Sequence, residues 1–340
     1  RYDIISGQLD FEKKILPKIK MEAGLKMSSV VSDNNLEFYE IGESGRELDM
    51  DRSNHFIYTE NIAAAYTSFS GALGDKLSYK AGLRAEQTFS EGKSLTLNTV
   101  NPRNYFNLFP SFFLQHNISD MYQVNYNYSR RINRPNYENL NPFIFYLDPY
   151  TSAQGNPYLR PEYTHSISVT QTFMKQFNLI LNYGLTSDFI AEVPIQNPED
   201  GTTIFRQSNI DDKINYSATA VVPYEPFKWW NVNANFTVFH QNFSTFLNNE
   251  KVEREATTGR VQLGNTFILP KDYRVELNGD YRSNTVWGLY SFGALWGLDF
   301  AVKKSFFEKK LEASLNFTDI FRTRQFIGNA NMQGNINEIT

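Results

Sequence analysis

The 340-residue chain contains no cysteine, so neither a disulfide framework nor a thiolate site is possible within it. It has no run of about 18 apolar residues, which excludes a membrane-spanning helix. The formal net charge is −4, and no Lys/Arg cluster or basic stripe occurs, which argues against nucleic acid as a partner. These absences direct attention to how the apolar residues are spaced.

Histidine is scarce as well. The four histidines are scattered along the chain, and none has a second ligand at metal-site spacing. His165 and Ser166 are neighbours, but adjacent side chains of a strand point to opposite faces and cannot form a hydrogen-bonded dyad. The sequence therefore predicts no catalytic residues, no metal site and no cofactor.

Aromatic residues are abundant, with 20 Tyr and 28 Phe against 4 Trp, yet the mean hydropathy is −0.46. Apolar and polar residues alternate strictly over long segments, and successive side chains of a strand point to opposite faces. Over residues 274–282 the apolar set is Val275, Leu277, Gly279 and Tyr281, and the polar set is Arg274, Glu276, Asn278, Asp280 and Arg282. The same alternation separates Lys80, Arg84 and Glu86 from Leu77, Tyr79, Ala81 and Leu83. A chain made almost wholly of such strands predicts lipid on one face and a wet lumen on the other.

The charged residues expected to face the lumen have two interpretations. They are Lys80, Arg84, Glu86, Arg274, Glu276, Asp280 and Arg282. Mutual pairing across strands would stiffen the wall. Alternatively, they form a polar surface along which a plug or a solute moves. The signs are mixed, without a ring of one sign, which favours pairing.

Short turns alternate with longer polar connections. The short turns are expected at residues 16–18, 74–76, 119–120, 175–176, 225–226, 270–272 and 308–309. The longer loops are expected at residues 32–51, 91–103, 135–160, 196–201 and 248–253, with an additional tight strand pair around residues 287–288. This layout is typical of a transmembrane barrel, with short periplasmic turns and longer outer loops.

The strand count sets the fold class. About fourteen strands and the start of another are predicted, most of them longer than the roughly nine to eleven residues that cross a bilayer. The sequence thus predicts an all-β fold, an antiparallel up-and-down transmembrane β-barrel that is partial, with about 14–15 strands of a larger barrel. A propeller has a similar period, but four short strands per repeat and a repeated Gly/His or Trp-Asp signature are absent.

Two motifs interrupt the alternation, YNYSRRINRPNYENLNPF at residues 126–143 and GNPYLRPE at residues 155–162. Proline cannot donate a ladder hydrogen bond and belongs where strands leave the sheet, and glycine and asparagine accept turn conformations. We expect the arginines to pair with Glu138, Asp148 or Glu162. The motif residues are Arg130, Arg131, Arg134, Pro135, Asn141, Pro142, Phe143, Gly155, Asn156, Pro157, Leu159, Pro161 and Glu162. A role in folding the loop is favoured over contact with a ligand.

Together the motifs resemble the barrels of TonB-dependent outer-membrane receptors, especially the outer-membrane β-barrel family common in Bacteroidetes-type bacteria. The tandem carries the resemblance: Ser-Arg-x-x-x-Arg-Pro ends a strand, an Asn-Pro-Phe loop follows, and Gly-Asn-Pro-x-Leu-x-Pro-Glu opens the next strand. The rest of the chain resembles the family only through its rhythm of strands and turns.

The resemblance implies a location, partners and a function. Members of the family have barrels of about 22 strands, each blocked by a plug that an inner-membrane energy-coupling protein displaces. The implied location is the bacterial outer membrane, and the implied partners are outer-membrane lipid, a plug domain, a TonB-type protein and a small-molecule or glycan solute. We expect residues 1–340 to be part of a single barrel domain, with the plug domain and the closing C-terminal strand absent.

Three functions are open at this point. The leading one is the barrel region of a transporter that imports a bulky or scarce solute, such as a siderophore complex, a vitamin or an oligosaccharide. The second is a passive outer-membrane channel or porin without a plug. The third is an enzyme embedded in a barrel, which requires a convergent Ser/His or carboxylate constellation, and none is visible.

Overall fold

A computed structural model describes residues 1–42, 45–197, 199–247, 250–325, 327–332 and 335–339. These residues form antiparallel strands almost throughout, as the alternation predicts, with one helix of four residues, α1 (Tyr137–Leu140). The strands are β1 (Tyr2–Leu16), β2 (Ile19–Gly42), β3 (Gly45–Leu73), β4 (Leu77–Ser94), β5 (Thr99–Ser119), β6 (Tyr122–Asn133), β7 (Ile144–Tyr146), β8 (Thr151–Gln154), β9 (Glu162–Phe173), β10 (Phe177–Ser187), β11 (Ile190–Gln196), β12 (Thr203–Asn209), β13 (Asp212–Phe227), β14 (Trp230–Leu247), β15 (Glu250–Leu269), β16 (Tyr273–Arg282), β17 (Thr285–Trp287), β18 (Tyr290–Phe292), β19 (Leu295–Phe306), β20 (Leu311–Phe317), β21 (Gly328–Met332) and β22 (Asn335–Ile339). Within the described ranges, no helix has the length and hydropathy needed to cross a membrane.

The long strands form one sheet of fourteen, in the order β1-β2-β3-β4-β5-β6-β9-β10-β13-β14-β15-β16-β19-β20. The predicted strand number and up-and-down order are thereby confirmed. Strands that are neighbours in this sheet follow one another along the chain. They are connected by a short turn at one end of the sheet or by a longer segment at the other end. The two end strands, β1 and β20, each pair with a single neighbour in this order.

The chain divides into two compact units. Unit 1 comprises Arg1–Leu114, Tyr128–His165 and Thr186–Asp211, and unit 2 comprises Gln115–Asn127, Ser166–Leu185 and Asp212–Thr340. Unit 1 contains a small sheet of order β11-β12-β8-β7, in which β12 and β8 are parallel. Unit 2 contains a small sheet of order β17-β18-β21-β22. We call the end of each strand that lies away from the short turns its outer end.

Unit 1 buries an apolar cluster at the outer ends of its strands. Phe56 and Tyr58 of β3 contact Leu140 of α1 and Leu159 of the second motif, and Leu159 has no exposed surface. Tyr137 stacks on Tyr58 with ring centroids 4.8 Å apart. Burial of side chains of this size contributes about 1.5–3 kcal/mol each, so the cluster holds the loop onto the strands.

Some predicted boundaries are confirmed and others are wrong. The short turns fall where expected, except that β13 continues to Phe227 through an irregular pairing after Tyr224, so Pro226 lies inside the strand. Residues 135–160 form a loop region, and β17 and β18 form the tight pair around residues 287–288. The loops expected at 32–51 and 91–103 are wrong, because β2, β3, β4 and β5 extend through most of both stretches.

These errors have a common physical cause. Beyond the bilayer both faces of a strand meet water, so the alternation that identifies a strand in the sequence is lost while the backbone ladder continues. The expected loop at 248–253 is likewise shortened by β14 and β15. Its residues 248–249, like residues 43–44 and residue 198 of the other expected loops, lie outside the described part of the chain.

Candidate functional site

The polar face of β4 is built from three of the predicted charges. Lys80, Arg84 and Glu86 share one face of this strand, and their partners on β3 are Ser70, Tyr66 and Ala64. Lys80 Nζ lies 2.7 Å from Glu22 Oε2 on β2, and Arg84 forms an ion pair with Glu86. The charges therefore pair along and across strands, as the interpretation of a stiffened wall expects.

The second predicted charged strand, β16, separates its faces in the same way. Arg274, Glu276, Asp280 and Arg282 share one face, and Val275, Leu277 and Tyr281 share the other. Two of these charged residues, Asp280 and Arg282, bond to residues that lie outside the strands paired with β16. Asp280 Oδ1 accepts a hydrogen bond of 2.5 Å from Arg324, which also binds Asp299, and Arg282 Nη2 donates to the carbonyl of Gly293 at 2.9 Å.

Arg134, which lies in the first motif directly after β6, contacts the face of β3 and β4 that carries Glu60 and Glu86. Its Nη2 lies 2.8 Å from Glu86 Oε2 and 3.0 Å from Thr88 Oγ1, and its Nε lies 3.8 Å from Glu60 Oε1. Tyr105 OH accepts from the same Nε at 3.2 Å. Glu60 and Glu86 are both buried, so Arg134 compensates carboxylates that water barely reaches.

The expected arginine partners Glu138, Asp148 and Glu162 are wrong. Arg130 donates to the carbonyl of Leu108 at 2.6 Å and lies 4.7 Å above the Tyr163 ring, and Arg131 is exposed. The physical reason is that sheet register, rather than nearness in sequence, brings β3 and β4 beside the end of β6. Glu60 lies on the same face of the sheet as Glu86, but the alternation did not mark it, because Tyr58, Ile62 and Ala64 share that face of β3.

The second motif folds as a compact turn through its backbone. Asn156 N donates to the carbonyl of Asn139 at 2.6 Å, and Asn156 Nδ2 donates to the carbonyl of Gln207 at 3.1 Å. A Cβ at Gly155 would overlap the carbonyl of Asn141, so this position requires glycine. Arg103, which lies outside both motifs and was not predicted as a site residue, donates to the carbonyls of Pro157 and Leu159.

Glu162, the last residue of the second motif, bonds to residues of β6 and β11. Its two carboxylate oxygens accept from Asn133 Nδ2 at 2.7 Å and from the backbone N–H of Ile190 at 2.6 Å. Asn141 Oδ1 accepts from Asn54 Nδ2 at 3.0 Å, and the carbonyl of Pro142 accepts from Gln154 at 3.1 Å. These contacts within the protein account for most of the motif residues, which supports their interpretation as residues that fold the loop.

A cleft of about 400 Å³ opens beside the motif in unit 1. It lies between the outer part of β2 on one side and the motif loop with the small sheet on the other. Its lining consists of Asn34, Leu36, Glu138, Asn139, Asn141, Phe143, Phe145, Ala153, Gln154, Gly155, Glu192, Phe205 and Gln207. Of the predicted motif residues, Asn141, Phe143 and Gly155 therefore line a space large enough for a small molecule.

Two groups within residues 135–160 have shifted pKa values. The N–H of Tyr150, 2.8 Å from Asp148 Oδ1, and the side chain of Thr151 hold the pKa of the Asp148 carboxyl below its usual value. Burial raises the pKa of the Tyr137 phenol. Among the described residues, no group of three or more His, Asp or Glu side chains is arranged to hold a metal ion.

A family model described as the outer membrane protein beta-barrel family matches residues 1–340. No curated protein matches the chain. Solved structures do, and the copper transporter OprC has a TM-score of 0.68 at 11% identity, with 98% of this chain and 53% of that protein covered. The FrpB iron transporter from Neisseria meningitidis (F5-1 variant) has a TM-score of 0.67 at 11% identity, covering 96% of this chain and 52% of that one.

The ferric yersiniabactin uptake receptor FyuA from Yersinia pestis has a TM-score of 0.61 at 13% identity, covering 94% of this chain and 49% of that one. At such identities the similarity shows the fold, and the chain spans about half the length of these solved structures. By their names all three are transporters or uptake receptors rather than enzymes. The chain belongs to the outer membrane protein beta-barrel family, and it is a protein of the bacterial outer membrane whose sheet is part of an antiparallel transmembrane β-barrel.

Proposed function

We propose that this chain is the barrel region of a TonB-dependent outer-membrane transporter that imports a bulky or scarce solute. The observation that carries the proposal is the fourteen-stranded meander, which shares its fold with transporter and receptor barrels over nearly all of its length. A siderophore complex, a vitamin and an oligosaccharide all fit this function.

The two faces of the sheet have separate roles in the proposal. The face with Leu277 and Tyr281 contacts outer-membrane lipid, and the face with Lys80, Arg84 and Glu86 lines the lumen. The ion pairs of that face keep charged groups satisfied beside a wide polar space, since an unpaired buried charge is costly. The motif loop and the small sheet of unit 1 stand at the outer end, which faces the cell exterior.

The plug and the energy-coupling protein belong to the proposal as partners. The chain supplies part of a single barrel domain, and the plug domain and the closing strand come from sequence outside residues 1–340. Import of a scarce solute requires tight binding. Release of a tightly bound solute requires an input of energy, which the coupling protein supplies by moving the plug.

The test uses the full-length protein reconstituted in planar lipid bilayers. A plugged receptor should show little conductance and should bind the periplasmic domain of the energy-coupling protein. A passive channel without a plug should conduct ions steadily and should not bind that domain. Steady conductance without binding would overturn the proposal in favour of the channel.

A further inference from the structure

The cleft beside the motif contains several polar side chains that the protein itself does not use. Within the described part of the chain, no side-chain hydrogen bond engages the amides of Asn34, Asn139 or Gln207. Each carboxamide offers two N–H donors and a carbonyl acceptor at one site. Adjacent hydroxyl groups need both a donor and an acceptor, so free amides around one space suit a polyhydroxylated molecule.

Aromatic rings line the same space. Phe143 and Phe145 come from the loop and from β7, and Phe205 comes from β12. The flat apolar faces of sugar rings pack against aromatic rings, because both surfaces leave water together. In this combination the free amides can bond the hydroxyl groups of a sugar, and the phenyl rings can pack against the flat face of its ring.

The charge of the cleft selects against anions. Among the described residues that line it, Glu138 and Glu192 are charged and none is Lys or Arg. A second cleft of about 470 Å³, farther out along β2, is lined by Glu40, Glu47 and Asp49 and by the cation Arg52. A negatively charged chelate would meet like charge at both clefts, whereas a neutral molecule would not.

The cleft opens on the polar face of the sheet. Asn34 of β2 lies opposite Phe56 of β3, which lies opposite Ser94 of β4, and these positions continue the face that carries Glu60 and Glu86. A molecule in the cleft would therefore lie at the outer end of the face that our proposed function assigns to the lumen. This position suits first capture of an imported solute.

We propose that this cleft binds a neutral oligosaccharide, with the amides of Asn34 and Gln207 bonding its hydroxyl groups and Phe145 and Phe205 packing on its rings. The inference rests on the proposed function only for the step of import. The cleft volume is in the usual range for small-molecule sites and fits a short oligosaccharide or one end of a longer one.

The test is binding by the purified full-length protein in detergent to an array of neutral oligosaccharides, with a ferric tris-catecholate anion as the competing class. We expect binding of at least one neutral oligosaccharide and none of the anion. Titration of the strongest binder should show about tenfold weaker affinity for the Asn34→Ala/Gln207→Ala double variant, since two hydrogen bonds are removed.

Asn35→Ala is the matched control, because Asn35 is the next residue of β2, is similarly exposed and points to the opposite face. Its affinity should stay within about twofold of the unmodified protein, well below the size of one hydrogen bond. Absence of binding to every neutral oligosaccharide, preference for the ferric anion, or an equal loss in Asn35→Ala would overturn the inference.

Failure of this inference is distinguishable from failure of the proposed function. Binding in detergent needs neither a plug nor energy coupling. A protein that binds the oligosaccharide yet conducts ions steadily would contradict the transporter and leave the cleft assignment standing. A plugged receptor that does not bind neutral oligosaccharides would contradict the cleft assignment and leave the transporter proposal standing.

Discussion

At the scale of the residue, the site depends on how buried charges are compensated. Arg134 contacts Glu86 directly and lies near Glu60, and both carboxylates have 4% relative exposure. Replacing a whole buried ion pair by apolar residues is often harmless, but removing one partner leaves an uncompensated charge. Among the motif residues, loss of the Arg134 side chain is therefore expected to reduce stability most.

We predict that Arg134→Ala destabilises the outer ends of β3, β4 and β6 by about 3–5 kcal/mol, the usual result of breaking a buried pair. Hydrogen exchange of the full-length protein in detergent measures this as faster exchange around Glu60 and Glu86. Arg131→Ala is the control, because Arg131 is an exposed arginine near the end of β6, three residues before Arg134. Equal effects of the two variants would contradict the role given to Arg134.

The alternation of β4 and β16 was enough to predict which charges share a face, because a period of two is a local property. It could not predict their partners. Arg134 reaches Glu86 across 48 residues and Arg324 reaches Asp280 across 44, and these contacts depend on how the segments that follow β6 and β20 pack against the sheet. The nearby carboxylates Glu138 and Asp148 were reasonable partners in sequence but not in space.

The turn between β7 and β8 should depend on pH through Asp148. Its pKa is lower in the folded protein, so the carboxylate stabilises the turn above its unfolded pKa of about 3.9, and this contribution is lost as pH falls through the folded value. We predict constant hydrogen-exchange protection of the Tyr150 N–H between about pH 5 and pH 8, and a decrease below about pH 4. Asp148→Ala, which removes the acceptor oxygen, should show low protection throughout, and an unchanged N–H in this variant would disprove the contact.

At the scale of the element, the motif loop is a small folded structure set on long strands. Gly155 passes so close to Asn141 that no side chain fits, and Leu159 fills the cluster beneath. The turn character of Gly155 and Asn156 was predictable from their residue types. The parallel pairing of β12 with β8 was not, because β8 has four residues and no alternation of its own.

We predict that Gly155→Ala separates the two motif segments and destabilises the loop by about 1–3 kcal/mol, as overpacking does. Limited proteolysis of the full-length protein should then cut within residues 135–160 sooner than in the unmodified protein. Gly7→Ala is the control, since a Cβ at Gly7 meets no atom within 4 Å. Similar proteolysis of the two variants would show that the close approach at Gly155 is unimportant.

At the scale of the whole molecule, the fourteen-stranded sheet ends in two strands that have one neighbour each, and β1 is exposed along its entire length. In lipid each unpaired backbone group costs several kcal/mol, so a spanning sheet must close. We predict that residues 1–340 expressed alone and refolded in detergent do not give a monodisperse, heat-resistant monomer. Recovery of such a monomer would show that this sheet closes without further strands.

The central claim is that one face of the sheet meets lipid and the other meets water. Because residues 1–340 contain no cysteine, single cysteines can be placed along β16 in an otherwise cysteine-free full-length protein and spin-labelled in liposomes. Collision with oxygen, which dissolves in lipid, is compared with collision with a water-soluble nickel chelate at 274, 275, 276, 277, 278 and 281. We predict oxygen access at Val275, Leu277 and Tyr281 and nickel access at Arg274, Glu276 and Asn278. The reverse pattern, or no alternation along the strand, would contradict the barrel assignment.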